Sequence, residues 1–337
     1  MSLDLKKILV IRYDALGDTL VTLPFINELR NKFDEAKISV VVSERGKEAV
    51  SFLPFLKNIY VLNMEDKEEK KKIFELIKKE KFDISFNVTE KMIGYTLPFM
   101  AGIKKRVGFD PGWTQPIKSL LCKLLLTDRA SYKNNPKVSI GLHEVERQFL
   151  LFKKLGFDMS PKSYKIPISE ADKKRADSLL PDNKKYIAVH LSNKWFSNGW
   201  DIEWFSKLIK KLIENFQDFE FFFTAGQAER DIAKDIKSRF QDVKVFEGLS
   251  FGEWSSVLSR AVSLLTMDTS ASHLSAGLAI PSVVVFEDKY FKHTSERWHP
   301  WKSPYVIVKR EKITDTDDVV EKLNEDIMSG LKKMLLM

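Results

Sequence analysis

Cysteine is almost absent: Cys122 is the single thiol in 337 residues. That excludes an internal disulfide framework and any cysteine cluster for zinc. No apolar run approaches the roughly 18 residues needed to span a bilayer. The opening Met-Ser-Leu-Asp-Leu-Lys-Lys leads into a strand-like run without an apolar signal segment, so the chain reads as cytoplasmic. Two glycine signatures are also missing. Without Gly-x-Gly-x-x-Gly a dinucleotide oxidoreductase loses its usual support, and without Gly-x-x-x-x-Gly-Lys-Ser/Thr so does a P-loop kinase. Nucleic acid is not an expected partner, since there is no zinc-finger spacing, no aromatic RNP-like run and no disordered basic arm.

What is present is an ordinary globular composition, 44% apolar and 30% charged, at a length that favours two domains. Short β-branched runs at 8–11, 37–42, 59–62 and 82–87 alternate with helical patterns at 19–32, 44–52, 67–79 and 91–101. Another amphipathic helix covers 143–155. Residues 159–185 turn polar, with Ser, Pro, Lys and Asp prominent, and mark an interdomain region. Alternation then restarts, with strands at 186–191, 219–223, 244–246, 263–266 and 282–286 and helices at 201–215, 227–240 and 270–278. Strand–helix–strand order implies right-handed βαβ units and parallel sheets. The expected fold is α/β, with two Rossmann-like doubly wound domains, 1–168 and 169–337, facing across a cleft. A last helix at about 315–333 is expected to pack back across the first domain.

Charge is unevenly placed. Residues 1–168 carry 30 basic against 21 acidic side chains, a net +9, while 169–337 carry 25 against 26. Between 104 and 137 eight basic residues face only Asp110 and Asp128. Such asymmetry points to an anionic partner for the first half, against the plainer reading of a solvated lysine-rich surface.

Two stretches can carry chemistry. After the first strand comes Asp14-Ala15-Leu16-Gly17-Asp18. Gly17 permits a tight turn near a ligand. Asp18 is either a helix cap or a general base, and Arg12 at the strand end is placed to help bind an anion. The second stretch is Met267-Asp268-Thr269-Ser270-Ala271-Ser272-His273, a buried strand running through small residues into a helix. Small side chains let backbone N–H groups approach phosphate oxygens at a helix N-terminus. Asp268 can hold sugar hydroxyls or act as a plain cap, and His273, one turn into the helix, either belongs to that site or simply bonds a neighbouring loop.

Here a resemblance becomes specific. The run from Ile8 through Arg12 and Asp18 to Pro24 resembles the opening motif of the bacterial lipopolysaccharide heptosyltransferases, glycosyltransferase family 9. The run from Asp268 to Leu278, with Pro281 and residues 283–286, resembles their nucleotide-sugar motif, and His143-Glu144-Val145-Glu146-Arg147 is similar to a weaker third element. The resemblance implies a GT-B fold and inverting, metal-independent transfer of heptose from ADP-heptose onto the lipopolysaccharide inner core. No cofactor is implied, the ADP-sugar being a substrate. By position Asp18 matches the base and Arg12 the family's Lys/Arg. Asp268, Ser270, Ala271 and His273 match the donor segment, Glu229 the acidic residue at the ribose, and Ser192 and Asn193 the diphosphate loop. One departure stands out: Ser197-Asn198-Gly199 occupies the place of a phosphate-binding Lys or Arg, leaving Lys194 as the candidate for that charge. An anionic, lipid-linked saccharide acceptor would meet Lys104, Lys105, Arg106, Lys118, Lys123 and Lys133, with peripheral contact at the inner membrane.

No metal site is expected. Asp315-Thr316-Asp317 formally reads Asp-x-Asp, but acidic residues opening a helix serve its dipole. His293, Glu296 and His299 lack the spacing of a helical zinc pair. Alternatives are the same fold acting on another nucleotide sugar or glycan, or a non-catalytic nucleotide-sugar-binding protein.

Overall fold

The apolar run at 8–11 has no polar alternation, and it forms β1 (Lys7–Arg12), covered on both faces as a central parallel strand must be. The structure, a computed structural model, describes residues 5–131, 141–313 and 317–337. The chain divides into two compact units between Ser163 and Tyr164. In the first, β1 is joined by β2 (Lys37–Val42), β3 (Leu56–Val61), β4 (Ile84–Asn87), β5 (Lys105–Asp110) and β6 (Asp128–Ser131). All pair in parallel, in the order β3-β2-β1-β4-β5-β6. The second unit holds β7 (Tyr186–His190), β8 (Glu220–Ala225), β9 (Lys244–Glu247), β10 (Ala261–Met267), β11 (Ser282–Glu287) and β12 (Tyr305–Arg310). Its order, β9-β8-β7-β10-β11-β12, repeats the first unit's topology, again all parallel.

Each order reverses direction once, between β1 and β4 and between β7 and β10. Ligands of open α/β sheets settle at the carboxyl ends of the strands beside that reversal. The topology therefore marks the ends of these four strands as the places to find a site.

Several local expectations change. The helix read at 19–32 is two, Leu16–Leu20 and Leu23–Lys32, because Pro24 has no N–H to give and opens a new helix instead of continuing one. Gly17 is buried in the first of them and is not among the positive-φ glycines, so it does not supply the expected turn. The unit boundary precedes 168: the Tyr164 hydroxyl donates to the His273 carbonyl at 2.5 Å and Ile166 N–H to that of Gly277 at 3.0 Å. A Cβ on Gly277 would lie 2.6 Å from Ile166, which is why glycine stands there. The last helix, Asp317–Leu335, packs on β10, β11 and β12 of its own unit. Leu323, Ile327, Leu331 and Met334 recur at helical spacing and lie in the second unit's core. Among the described residues no helix is long and apolar enough to cross a membrane.

Candidate active site

In the first unit β1 ends on Arg12, whose side chain is almost wholly buried. Its Nη2 donates to Asp18 Oδ1 at 3.0 Å, its Nε to the Asp18 carbonyl at 3.0 Å, and its Nη1 to the Val88 carbonyl just beyond β4. One guanidinium thus bridges the two strands at the reversal and orients Asp18. Asp18 also accepts the Ala15 N–H at 3.3 Å, so it serves the helix start as well. Its side chain stays about one-third exposed, at 32%. Capping and availability to a ligand coexist.

A buried ionic network lies behind this pair. Helix Glu144–Lys154 turns Glu144 and Arg147 inward, and neither side chain is exposed. Arg147 holds Glu144 through two bonds, at 2.6 and 2.7 Å, and its guanidinium sits 4.0 Å from the centre of the Phe109 ring. Glu144 Oε1 lies 3.5 Å from Arg12 Nη1 and Glu90 lies 3.8 Å from Arg147. Asp14 stands 3.5 Å from Arg12 and 4.0 Å from Lys91. Four carboxylates, Asp14, Asp18, Glu90 and Glu144, share the three cations Arg12, Lys91 and Arg147. Burial pushes the Asp18 carboxyl above the usual range; Arg12 opposes this, while Asp14 and Glu144 add to it.

In the second unit β7 ends on His190, and burial holds its imidazole down to about 4, so it is neutral near pH 7. The turn that follows carries three of the expected residues. Ser192 Oγ accepts the Lys194 N–H at 3.1 Å, Asn193 Nδ2 donates to Glu229 Oε1 at 3.0 Å, and Lys194 Nζ reaches across to Asp268. Nζ also lies 3.2 Å from Asp268 Oδ2, beyond the end of β10. Burial raises the Asp268 carboxyl, Lys194 pulls it back, and Glu287 raises it further. The cap of helix Ser270–Gly277 is Thr269, whose Oγ1 accepts the Ala271 N–H at 3.3 Å; Asp268 is not the cap. Ser270 is half-buried at this helix start.

Residues 71–327 match Glycosyltransferase family 9 (heptosyltransferase). The chain belongs to this family. The lipopolysaccharide heptosyltransferase 3 of Escherichia coli is 23% identical over 303 residues, 85% of this chain and 82% of that protein. A solved family 9 glycosyl transferase from Veillonella parvula has a TM-score of 0.80 at 16% identity, covering 100% of this chain and 99% of that one. The E. coli heptosyltransferase WaaC with ADP gives 0.70 at 19%, covering 95% and 99%. The fold is GT-B, and the protein is a glycosyltransferase.

For this family 9 glycosyltransferase the remaining expected residues are placed less favourably. Arg12 does not present a free guanidinium to an anion: it is committed to Asp18, Val88 and Glu144. His273 is buried with its ring against Trp298 at 6.1 Å, inside the helix rather than at its start. The basic stretch is not one face. Lys104 and Lys105 lie at the amino end of β5, the opposite end of a parallel sheet from Asp18. Arg106 spends its guanidinium on the carbonyls of Leu125 at 2.6 Å and Ile103 at 2.5 Å. Lys118 sits 5.8 Å from the Tyr95 ring centre and Lys123 is exposed on the same helix, while Lys133 falls outside the described residues. So does the Asp315-Thr316-Asp317 run, save for the backbone of Asp317. Among the described residues no three His, Cys, Asp or Glu side chains gather to hold a metal.

Three groups escaped the sequence reading. Glu144 and Arg147 lie in a motif whose pattern signals no role for either side chain. Arg310, buried at the end of β12, binds Glu287 at 2.9 Å and Ser197 Oγ at 2.7 Å. Glu287 also accepts from Asn198 at 3.2 Å, so the residues replacing the family's cation are engaged by a carboxylate.

Proposed function

We propose that the chain transfers heptose from ADP-heptose to the lipopolysaccharide inner core, with inversion and without a metal or other cofactor. An acceptor hydroxyl attacks the anomeric carbon, Asp18 takes its proton, and the bond to ADP breaks with the electron pair leaving on the diphosphate. The reading rests above all on Asp18, a partly exposed carboxylate at the end of β1, fixed by Arg12 and raised in pKa by burial. Ser192, Asn193, Lys194, Glu229, Asp268, Ser270 and Ala271 form the donor side, with Lys194 supplying the diphosphate charge and His273 supporting the helix from within. Mass spectrometry of an inner-core acceptor, incubated with a panel of nucleotide sugars and EDTA, tests it. A gain of one heptose from ADP-heptose is the expected result. Transfer from a different nucleotide sugar alone, or loss with EDTA and rescue by magnesium, overturns it.

A pH dependence follows from the carboxylate excess. Asp18 must be ionised to accept a proton, so kcat/KM falls as pH drops through its raised pKa. Asp14→Asn removes a neighbouring negative charge, lowers that pKa, and moves the acid limb to lower pH. A limb that stays in place or moves upward in this variant shows that Asp18 does not set it.

A further inference from the structure

Helix Pro116–Leu125 is built the wrong way round for a helix that merely covers a sheet. It buries Ser119 and Cys122, while Ile117 is 79% exposed, Leu120 60% and Leu124 66%. These three, with the partly exposed Leu121, fall at i, i+3, i+4 and i+7, one continuous stripe along the helix. Trp113, in the turn just before it, is 97% exposed. Phe99, at the end of the adjoining helix Ile93–Met100, is exposed as well. Single surface leucines are ordinary; a stripe of them, with an exposed aromatic on each of two neighbouring elements, marks an interaction surface.

Charge selects the occupant. Residues 111–127 contain no Asp or Glu, and Lys118 and Lys123 lie on the helix itself. Lys104 is exposed beside the helix's end, where Arg106 binds the Leu125 carbonyl. A second copy of the chain would set these lysines against one another. An anionic lipid surface would attract them while burying the stripe, and an indole favours the level of the headgroups.

We propose that helix Pro116–Leu125 and Trp113 dock on the surface of an anionic phospholipid bilayer. The helix lies in the plane of the interface, its apolar stripe among the acyl-chain ends and its lysines at the phosphates. This assignment is independent of which sugar is transferred. It also gives Lys104, Lys118 and Lys123 an anionic partner without sending them to the carboxyl ends of the strands.

Flotation of the purified protein with phosphatidylcholine vesicles, with and without phosphatidylglycerol, tests the proposal. Wild type should bind the phosphatidylglycerol vesicles and be released by 1 M salt, where the Debye length falls to about 3 Å. Ile117→Ser/Leu120→Ser/Leu124→Ser should lower binding on the order of 10-fold or more, since most of the buried apolar area is lost. Its melting temperature and its transfer to a lipid-free acceptor saccharide should stay those of wild type, because the three side chains are already in solvent. Absent binding by wild type, equal binding by the triple variant, or equal binding to neutral vesicles overturns the assignment. So does a wild-type dimer in sedimentation equilibrium that the triple variant dissolves, which would name a second copy as the occupant.

Discussion

Asp18→Asn is expected to lower turnover by about 10²–10⁴-fold, the usual contribution of a positioned general base. The substitution keeps the size of the side chain and an oxygen that can accept from Arg12 or from the Ala15 N–H. It also removes one of four carboxylates crowded around three cations, which relieves repulsion. Donor affinity, read by calorimetry with the nucleotide diphosphate, should hardly change, and the melting temperature should move by only a few degrees. The split between kcat and donor binding is the informative part, because loss of a mere helix cap would reduce stability and leave the rate per folded molecule intact. Near wild-type turnover in this variant would reduce Asp18 to a cap.

Arg147→Met should cost on the order of 3–5 kcal/mol of stability, the penalty for leaving a buried carboxylate short of its partner. Glu144 would lose its two bonds at 2.6 and 2.7 Å and be left with longer contacts, among them Arg12 at 3.5 Å and the Gln148 amide at 3.5 Å. Adding Glu144→Met to the same chain should restore most of the loss. An apolar pair of similar volume needs no desolvation of charge, and Arg12 retains Asp18 and the Val88 carbonyl. Urea denaturation of the single and double variants reads both steps. A single variant within 1 kcal/mol of wild type, or a double variant less stable than the single, would mean that the pair is not held as a buried ionic unit.

The helix that carries this pair shows where reading from sequence stops. The strands β1, β7 and β11 announce themselves as unbroken apolar runs, and the reversal points follow once the parallel order is known. By contrast β5 begins Lys-Arg and β6 begins Asp-Arg, so the chemistry of their first residues concealed strands inside what reads as a basic tract. Asp18 and Asp268 stand out as candidates because their neighbours form recognisable motifs, whereas Lys194 comes forward only because Ser197-Asn198-Gly199 departs from one. The support beneath Asp18 was not, because it consists of charge placed where pattern rules expect apolar residues. A signal did exist: Glu144, Arg147 and Gln148 share the phase of Leu151 and Phe152 at i, i+3, i+4, i+7 and i+8, and all five are buried. Polar residues occupying the inward phase of an amphipathic helix are the trace of a buried network. Arg12 illustrates the converse. Its position at a strand end suggests anion binding, but its guanidinium already lies within 3.5 Å of five acceptor groups of the chain itself, and only the three-dimensional arrangement reveals that competition.

The repeated strand order also dictates how these sheets must be assembled. With every pairing parallel, no strand can zip onto its successor through a tight turn; each junction waits for a crossover. Within a unit, β1 to β3 and β7 to β9 each close through successive crossovers, but β4 must return past two strands to find β1, and β10 past two to find β7. Those longest returns are entropically the most demanding. They are also the seams at which Arg12 meets Val88 and Lys194 meets Asp268. The residues assigned to chemistry therefore sit on the pairings of longest sequence separation in each sheet, and their polar bonds need both halves of that sheet in place. Damage there would be felt first in the yield of native protein during refolding, before any substrate is offered.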